Sequence, residues 1–245
     1  MLKISHLTKR YGGSAVNAVE DLSLELRPGE VFGFLGPNGA GKSTTIKSIV
    51  GILAFDSGEV SVCGTSLLEN PIAYKHEIGY VPDNHAIFER LTGREYINHI
   101  ANLYDVPVAQ MEEISEKYLK IFHLTHAFDN PIKSYSHGMK QKIAVIAALV
   151  HKPKLWVLDE PLTGLDPQSA YQLKEAMRSH AREGNTVLFS SHMLDIVENL
   201  CDRVCIVKKG KLQGVWDLHE LKAEGRSLEE MFMGIISDSP EGGSF

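Results

Sequence analysis

The segment Gly36–Ser43 reads GPNGAGKS and has the residue types and spacing of a phosphate-binding loop. Its glycines let the backbone turn tightly and point N–H groups at phosphate oxygens. Lys42 can reach the terminal phosphates of a nucleotide, and the Ser43 hydroxyl can bind Mg²⁺. The residues that we predict to contact the phosphates are Gly36, Pro37, Asn38, Gly39, Ala40, Gly41, Lys42, Ser43 and Thr44. We refer to Gly36–Ser43 as the phosphate loop.

Two carboxylates end a second apolar segment, Leu155–Leu158. In a fold that carries a phosphate loop, an aspartate at the carboxyl end of such a strand holds Mg²⁺, which we predict for Asp159 together with Ser43. Glu160 follows one residue later, near the terminal phosphate. We predict that it polarises an attacking water as a general base.

The elements that must position these residues alternate between strands and helices. Continuous apolar runs predict strands that are buried on both faces, at Val31–Leu35, Leu155–Leu158, Thr186–Ser190 and Arg203–Val207. Helical segments are predicted at about 42–51, 168–183 and 193–200. Strands that alternate with helices imply a parallel sheet.

Two other parts of the chain differ from this pattern. The first thirty or so residues alternate apolar and polar positions, which predicts antiparallel strands. Residues 91–149 are mostly helical in pattern, and Thr92 with Glu95 forms a capping box. We therefore predict a strand-rich N-terminal edge, an α/β core and an inserted helical lobe at about residues 84–151.

Composition is that of an ordinary globular chain: 245 residues, 43% hydrophobic, with 25 basic and 31 acidic side chains and a net charge of −6. This acidity argues against a protein that coats nucleic acid, so no nucleic-acid partner is expected. The longest apolar run, Ile143–Val150, is far shorter than the about 20 residues of a membrane-spanning helix. The polar tail at 236–245 is predicted to be disordered.

With these motifs in this order, the sequence resembles the nucleotide-binding subunit of an ABC transporter over about residues 1–235. Ser136–Lys140 stands where that family has its S-G-G-Q signature, and we call it the signature segment. Ser136 is a suitable N-cap for the following helix. The resemblance implies that Ser136 and Gly138 face the terminal phosphate of a nucleotide bound by a partner subunit.

The resemblance implies further roles outside these motifs. Tyr11 stands where the family has an aromatic side chain that stacks on adenine, and Asp166 lies in a loop that communicates between subunits. His192 matches the histidine that contacts the terminal phosphate. The implied fold is a P-loop NTPase (RecA-like) core with an antiparallel β subdomain and an inserted helical subdomain.

Two departures from the family pattern stand out. Asp83 replaces the usual glutamine, and it either ligates Mg²⁺ or caps the next turn. In and beside the signature segment, Tyr135, His137 and Met139 replace Leu, Gly and Gln. This variation resembles bacterial subunits that partner ABC-2-type permeases, and His137 predicts a pH-sensitive interface.

The resemblance implies an ATPase that uses ATP and Mg²⁺, works as a dimer of nucleotide-binding subunits and drives transmembrane permease subunits from the cytoplasmic face of the membrane. Export is the expected direction, and Asp83–Leu103 the expected docking surface. Two alternatives stay open at this point: a soluble ABC ATPase in iron–sulfur assembly, and an ATP-sensing regulatory module. Lys208–Lys211 is predicted to be a solvated hairpin turn.

Overall fold

A computed structural model describes residues 1–83 and 88–237 of the chain. Two sheets organise it. The first is antiparallel, with strand order β2-β1-β4-β5. Its strands are β1 (Leu2–Lys9), β2 (Val19–Glu25), β4 (Ser57–Val62) and β5 (Thr65–Ser66). The predicted antiparallel edge is thus present.

The main sheet has the strand order β10-β9-β3-β8-β7-β6. Five of its strands run parallel, and β10 pairs antiparallel with β9 at one edge. The strands are β3 (Val31–Leu35), β6 (Ile78–Val81), β7 (Leu155–Leu158), β8 (Thr186–Ser191), β9 (Arg203–Lys208) and β10 (Lys211–Asp217). The hairpin predicted at Lys208–Lys211 is the turn between β9 and β10.

Helices cover both faces of the main sheet. They are α1 (Lys42–Ile49), α2 (Pro71–His76), α3 (Gly93–Leu103), α4 (Val108–Ile121), α5 (His137–Leu149), α6 (Pro167–Arg182), α7 (Leu194–Leu200), α8 (Leu218–Ala223) and α9 (Leu228–Ser237). Helix α9 includes residues 236 and 237, which the sequence placed in the disordered tail. Residues 238–245 of that tail lie outside the described residues.

Helices α3, α4 and α5 follow β6 and precede β7, two strands that are neighbours in the sheet. The predicted capping box is present at the start of α3, where Thr92 and Glu95 exchange hydrogen bonds. Residues 84–87 of the predicted lobe lie outside the described residues. Among the helices of the described ranges, none has both the length and the apolar character needed to cross a bilayer.

Alternate residues of the buried strands enter two apolar clusters. One lies between the antiparallel sheet, α1 and one face of the main sheet, and it contains Phe32, Phe34 and Val157. The other lies on the opposite face with α5 and α6, and it contains Trp156 and Leu158. The first cluster lies on the face of the main sheet that α1 covers. Side chains alternate along a strand, so the residues two positions beyond Phe34 or Val157 lie on the same face, next to the phosphate loop.

Candidate nucleotide site

The phosphate loop joins the buried strand β3 to helix α1, as its motif requires. Gly39 and Gly41 have φ of 79° and 102°, a left-handed conformation that favours glycine. A Cβ atom on Gly41 would lie 2.4 Å from the Ala18 carbonyl oxygen, so the loop also packs too closely for a side chain there. No side chain caps α1. The N–H groups of its first turn are therefore available to an anion.

Lys42 is 6% exposed and folds over the loop. Its Nζ donates to the carbonyl oxygens of Gly36 at 2.8 Å and Pro37 at 3.3 Å. The same Nζ lies 3.5 Å from Oε1 of Glu160. One cation is thus shared between loop carbonyls and a carboxylate, all of which a phosphate group could replace.

Asp159 is 1% exposed and sits at the carboxyl end of β7. Its Oδ1 accepts hydrogen bonds from the hydroxyls of Ser43 at 3.2 Å and Ser190 at 2.7 Å. A buried carboxylate beside a serine hydroxyl is the oxygen-rich donor set that suits Mg²⁺. Of the three residues predicted to hold the ion, Ser43 and Asp159 are in direct contact, and their oxygen atoms fit it.

Glu160 has a φ of 48°, an uncommon conformation for a residue with a side chain. Its backbone N–H donates to the Ser190 hydroxyl at 2.8 Å, which helps to fix this turn. Its Oε2 lies 3.0 Å from Nδ1 of His192. The two residues predicted to act on the terminal phosphate and the attacking water are thus in direct contact, with Lys42 on the other carboxylate oxygen.

Sequence reasoning missed Ser190, although its hydroxyl contacts both acidic residues. It donates to the Asp159 carboxylate and accepts from the Glu160 backbone N–H, so it links the Asp159 side chain to the main chain of the next residue. The available signal was polarity: Ser190 ends the apolar run Thr186–Phe189 of β8 at the edge where the other site residues lie.

Tyr11 lies beside the phosphate loop and is 47% exposed. Its hydroxyl is 3.3 Å from the Thr44 hydroxyl in the first turn of α1. The ring is therefore next to the loop with much of its surface accessible, an arrangement that is compatible with the predicted stacking on a base.

The signature segment has a different environment. Ser136 caps α5 by accepting from the Met139 N–H at 3.3 Å. A Cβ atom on Gly138 would lie 3.5 Å from the Leu165 side chain. Asp166 caps α6, and two hydrogen bonds from Ser169 lower the pKa of the Asp166 carboxyl. Within residues 1–83 and 88–237, Ser136 and Gly138 therefore lie against α5 and the loop before α6.

Asp83 is exposed just after β6. Burial raises the pKa of the Tyr80 hydroxyl, and the charges of Asp159 and Asp83 raise it further. Asp83 is thus electrostatically coupled to the same region as Asp159, through a tyrosine on β6. The next four residues of the predicted docking segment, 84–87, lie outside the described residues.

Comparison with known proteins gives the class. A family model described as "ABC transporter" matches residues 19–163, a range that includes the phosphate loop, Asp159 and Glu160. Since this is more than half of the chain, the chain belongs to the ABC transporter family. The predicted class, an ATPase of this family, and the predicted P-loop NTPase fold are thereby confirmed.

Particular relatives sharpen the comparison. The linearmycin resistance ATP-binding protein LnrL of Bacillus subtilis is 37% identical over 212 residues, which are 86% of this chain and 68% of LnrL. The human retinal-specific phospholipid-transporting ATPase ABCA4 is 39% identical over 224 residues, 91% of this chain but only 10% of ABCA4. The chain thus spans about a tenth of the length of the ABCA4 proteins that it matches.

A solved structure of the ATP-binding subunit of an ABC transporter resembles the whole chain. It is 31% identical, has a TM-score of 0.90, and the alignment covers 96% of this chain and 99% of that one. The elements that carry the site are therefore arranged as in a single ATP-binding subunit.

Proposed function

We propose that this chain is the ATP-binding subunit of an ABC exporter, which binds and hydrolyses MgATP to drive separate transmembrane subunits. The observation that carries the proposal is the convergence of a buried lysine, a buried aspartate and a paired glutamate at the phosphate loop. Lys42, Asp159 and Glu160 lie within direct contact of each other or of a shared serine.

The nucleotide phosphates would bind to the N–H groups of the phosphate loop and of the first turn of α1. Lys42 would then exchange its carbonyl partners and Glu160 for phosphate oxygens. Ser43 and Asp159 would hold Mg²⁺, which neutralises the charge on the phosphates when bound. Glu160, released from Lys42 but still held by His192 at Oε2, would accept a proton from the attacking water.

A second nucleotide-binding subunit would complete the site. The signature segment contacts the loop before α6 within its own chain, where Gly138 lies beside Leu165 and His137 beside Gly164. We propose that Ser136 and Gly138 cover the nucleotide of a partner subunit. The helix N-terminus of α5 is suited to an anion there. ATP would then favour the closed dimer, because it binds that state more tightly.

The transmembrane subunits would dock on the segment Asp83–Leu103, placing the chain at the cytoplasmic face of the membrane. Two large apolar side chains of this segment, Phe88 and Leu103, are 58% and 62% exposed. Phe88 also packs edge-on against His99, with ring centroids 5.5 Å apart, which holds it on the surface of α3. Exposed apolar side chains at one surface are typical of a protein interface.

Export as the direction rests on two observations. The signature segment departs from the family pattern as in subunits that partner ABC-2-type permeases. LnrL is named for resistance to linearmycin, and resistance is consistent with removal of a compound from the cell.

The test is Glu160→Gln, with Glu59→Gln on the exposed face of the antiparallel sheet as a matched control. We expect Glu160→Gln to lower turnover by about 100-fold or more, since a positioned general base contributes about that much. It should still bind ATP and should accumulate as an ATP-bound dimer in size-exclusion chromatography. Near-normal hydrolysis by this variant would overturn the role of Glu160, and Glu59→Gln should behave as the unmodified chain does.

A further inference from the structure

Tyr80 carries a polar atom that the described site does not use. Its hydroxyl is buried, and it has no hydrogen-bond partner among residues 1–83 and 88–237. A buried hydroxyl without a partner is costly, and native proteins seldom retain one without a reason. The hydroxyl therefore calls for a partner that is present in another state of the protein.

The sheet places this hydroxyl at the nucleotide site. Tyr80 pairs with Val157 across the parallel strands β6 and β7. Val157 belongs to the apolar cluster between α1 and the main sheet, and the partly buried Tyr80 side chain packs against that cluster. Asp159 follows Val157 by two positions, and its backbone N–H donates to the Val81 carbonyl at 3.0 Å. Because strand side chains alternate, Tyr80, Val157 and Asp159 share the face of the sheet that holds the phosphate loop.

Two carboxylates lie near enough to the phenol to act on it electrostatically. Besides burial, which is the largest cause, the charges of Asp159 and Asp83 raise the pKa of Tyr80. A tyrosine hydroxyl can donate a hydrogen bond, and this one has no acceptor among residues 1–83 and 88–237. Asp83 stands where the family has a neutral glutamine, and a protonated phenol is the neutral polar group nearest to that position along β6.

We propose that Tyr80 is a positioning residue of the nucleotide site, whose hydroxyl donates a hydrogen bond to a water of the Mg²⁺–nucleotide complex between Asp83 and Asp159. This inference rests on the proposed function. The phenol would supply the neutral hydrogen-bonding group that the glutamine supplies elsewhere in the family. It would orient that water without contacting the reacting phosphate itself.

The experiment uses Tyr80→Phe, which removes only the hydroxyl. We expect binding of a fluorescent ATP analogue without Mg²⁺ to stay within twofold of that of the unmodified chain. The Mg²⁺ concentration for half-maximal tightening of that binding should rise about tenfold, the effect of about one hydrogen bond to a charged complex. The thermal unfolding temperature should be unchanged or slightly higher, because an unpaired buried polar atom is removed.

Tyr74→Phe is the matched control. Tyr74 is buried in the same apolar cluster, but its hydroxyl already donates to the Ile49 carbonyl oxygen at 2.7 Å. Its loss should lower the unfolding temperature and leave the Mg²⁺ response unchanged. Opposite responses of these two tyrosines would distinguish a role in positioning the Mg²⁺–nucleotide complex from a role in packing the apolar cluster.

A double variant tests the replacement of glutamine. Adding Asp83→Gln to Tyr80→Phe should recover at least half of the lost Mg²⁺ response on a logarithmic scale, because it restores a neutral amide. The proposal is overturned if Tyr80→Phe leaves the Mg²⁺ response within twofold, or if it weakens analogue binding equally with and without the ion. Should the unmodified chain fail to bind the analogue with Mg²⁺, the proposed function fails, whereas a normal response in Tyr80→Phe removes only this inference.

Discussion

The helices α1 and α5 both begin where a phosphate is expected, yet their first turns are built differently. Helix α1 has no side-chain cap, and the buried Lys42 lies over the loop that precedes it. Helix α5 is capped by its own Ser136, which already accepts the Met139 N–H. The first-turn N–H groups of α1 are therefore left to an anion, whereas at the start of α5 one such group, that of Met139, already has a side-chain partner within the chain.

We call the phosphate loop with α1 and the adjoining Asp159 and Glu160 the α1 region, and the signature segment with α5 the α5 region. The loop at residues 161–165 connects the two. The side-chain amide of Gln141, on α5, donates to the carbonyl oxygen of Pro161, directly after Glu160. Further along the same segment, Gly138 packs near Leu165 and Gly164 lies near His137. A change at the signature segment can thus reach the loop that carries Glu160 through short, direct contacts. The following predictions separate the contributions of the two regions.

The largest effect is expected from Lys42→Ala, which removes the only buried lysine among residues 1–83 and 88–237 and the cation of the α1 region. ATP binding should weaken by about 100-fold and turnover should fall by about 1,000-fold, since the lost charge acts on both the ground state and the transition state. Lys3→Ala, on an exposed position of β1, is the control. Isothermal titration and a phosphate-release assay measure the two quantities, and retention of normal ATP affinity by Lys42→Ala would contradict this prediction.

Most residues of the α1 region could be predicted from the sequence because they lie close together along the chain. The phosphate loop, its strand and its helix are contiguous, and Asp159 and Glu160 end an apolar strand. Ser190 and Tyr80 were missed because their importance depends on the strand order β8-β7-β6, which brings distant segments side by side. Their roles follow from register and facing, which a single apolar run does not specify.

The α5 region was predicted through resemblance rather than through its own chemistry. Ser136 as an N-cap follows from residue type and is confirmed. Its role towards a partner's nucleotide depends on a second chain, and the contacts within one chain neither require nor supply it. The roles of Ser136, Gly138 and Asp83 towards nucleotide or metal therefore stay predictions.

The second largest effect is expected from Gly138→Asp, which breaks the α5 region alone. The nearest atom to a Cβ at this position is 3.5 Å away, an ordinary contact, so the chain should fold. A carboxylate at this helix end would repel a partner's phosphate, and turnover should fall by about 100-fold while ATP affinity stays within twofold. Gly138→Ala, which adds no charge, should lose far less activity.

Mixing the two inactive variants sharpens the comparison. A pair of Lys42→Ala and Gly138→Asp chains contains one site with an intact phosphate loop and an intact signature segment. If the two regions come from different chains, the mixture should recover at least about tenfold more turnover than either variant alone, measured at equal total protein. No recovery in a mixture shown to form mixed dimers would contradict the shared site.

A smaller effect is expected from Ser190→Ala, which removes the hydroxyl between Asp159 and Glu160. Turnover should fall by about tenfold, the effect of about one hydrogen bond, because both carboxyl-bearing residues lose a fixed neighbour. Ser191→Ala is the control, since the Ser191 hydroxyl accepts from the Met193 N–H and contacts neither acid. Equal losses in the two variants would show that general loosening of β8, and not the placement of the acids, is responsible.

The smallest effect on turnover is expected at the carboxyl end of α5, where His151 follows the helix, and the prediction there concerns stability. Burial lowers the pKa of His151 to about 4, and burial lowers that of His180 on α6 similarly. In the unfolded chain both take up a proton near the ordinary pKa of 6.5, whereas the folded chain takes it up only near 4. The free energy of unfolding therefore decreases as the pH falls from about 6.5 to about 4. Below about pH 4 these two histidines cause no further decrease.

Replacing one buried histidine should flatten that decline. In urea unfolding at pH 7 and pH 4.5, His151→Gln should lose less free energy of unfolding between the two values than the unmodified chain, by about 2 kcal/mol. His126→Gln, at an exposed position, should keep the full decline. An unchanged pH dependence in His151→Gln would mean that His151 takes up its proton in the folded chain as readily as in the unfolded one. His151 stacks on Tyr104 at the end of α3, with ring centroids 3.9 Å apart. That outcome would therefore mean that the loss of stability at low pH does not arise at the contact between α5 and α3.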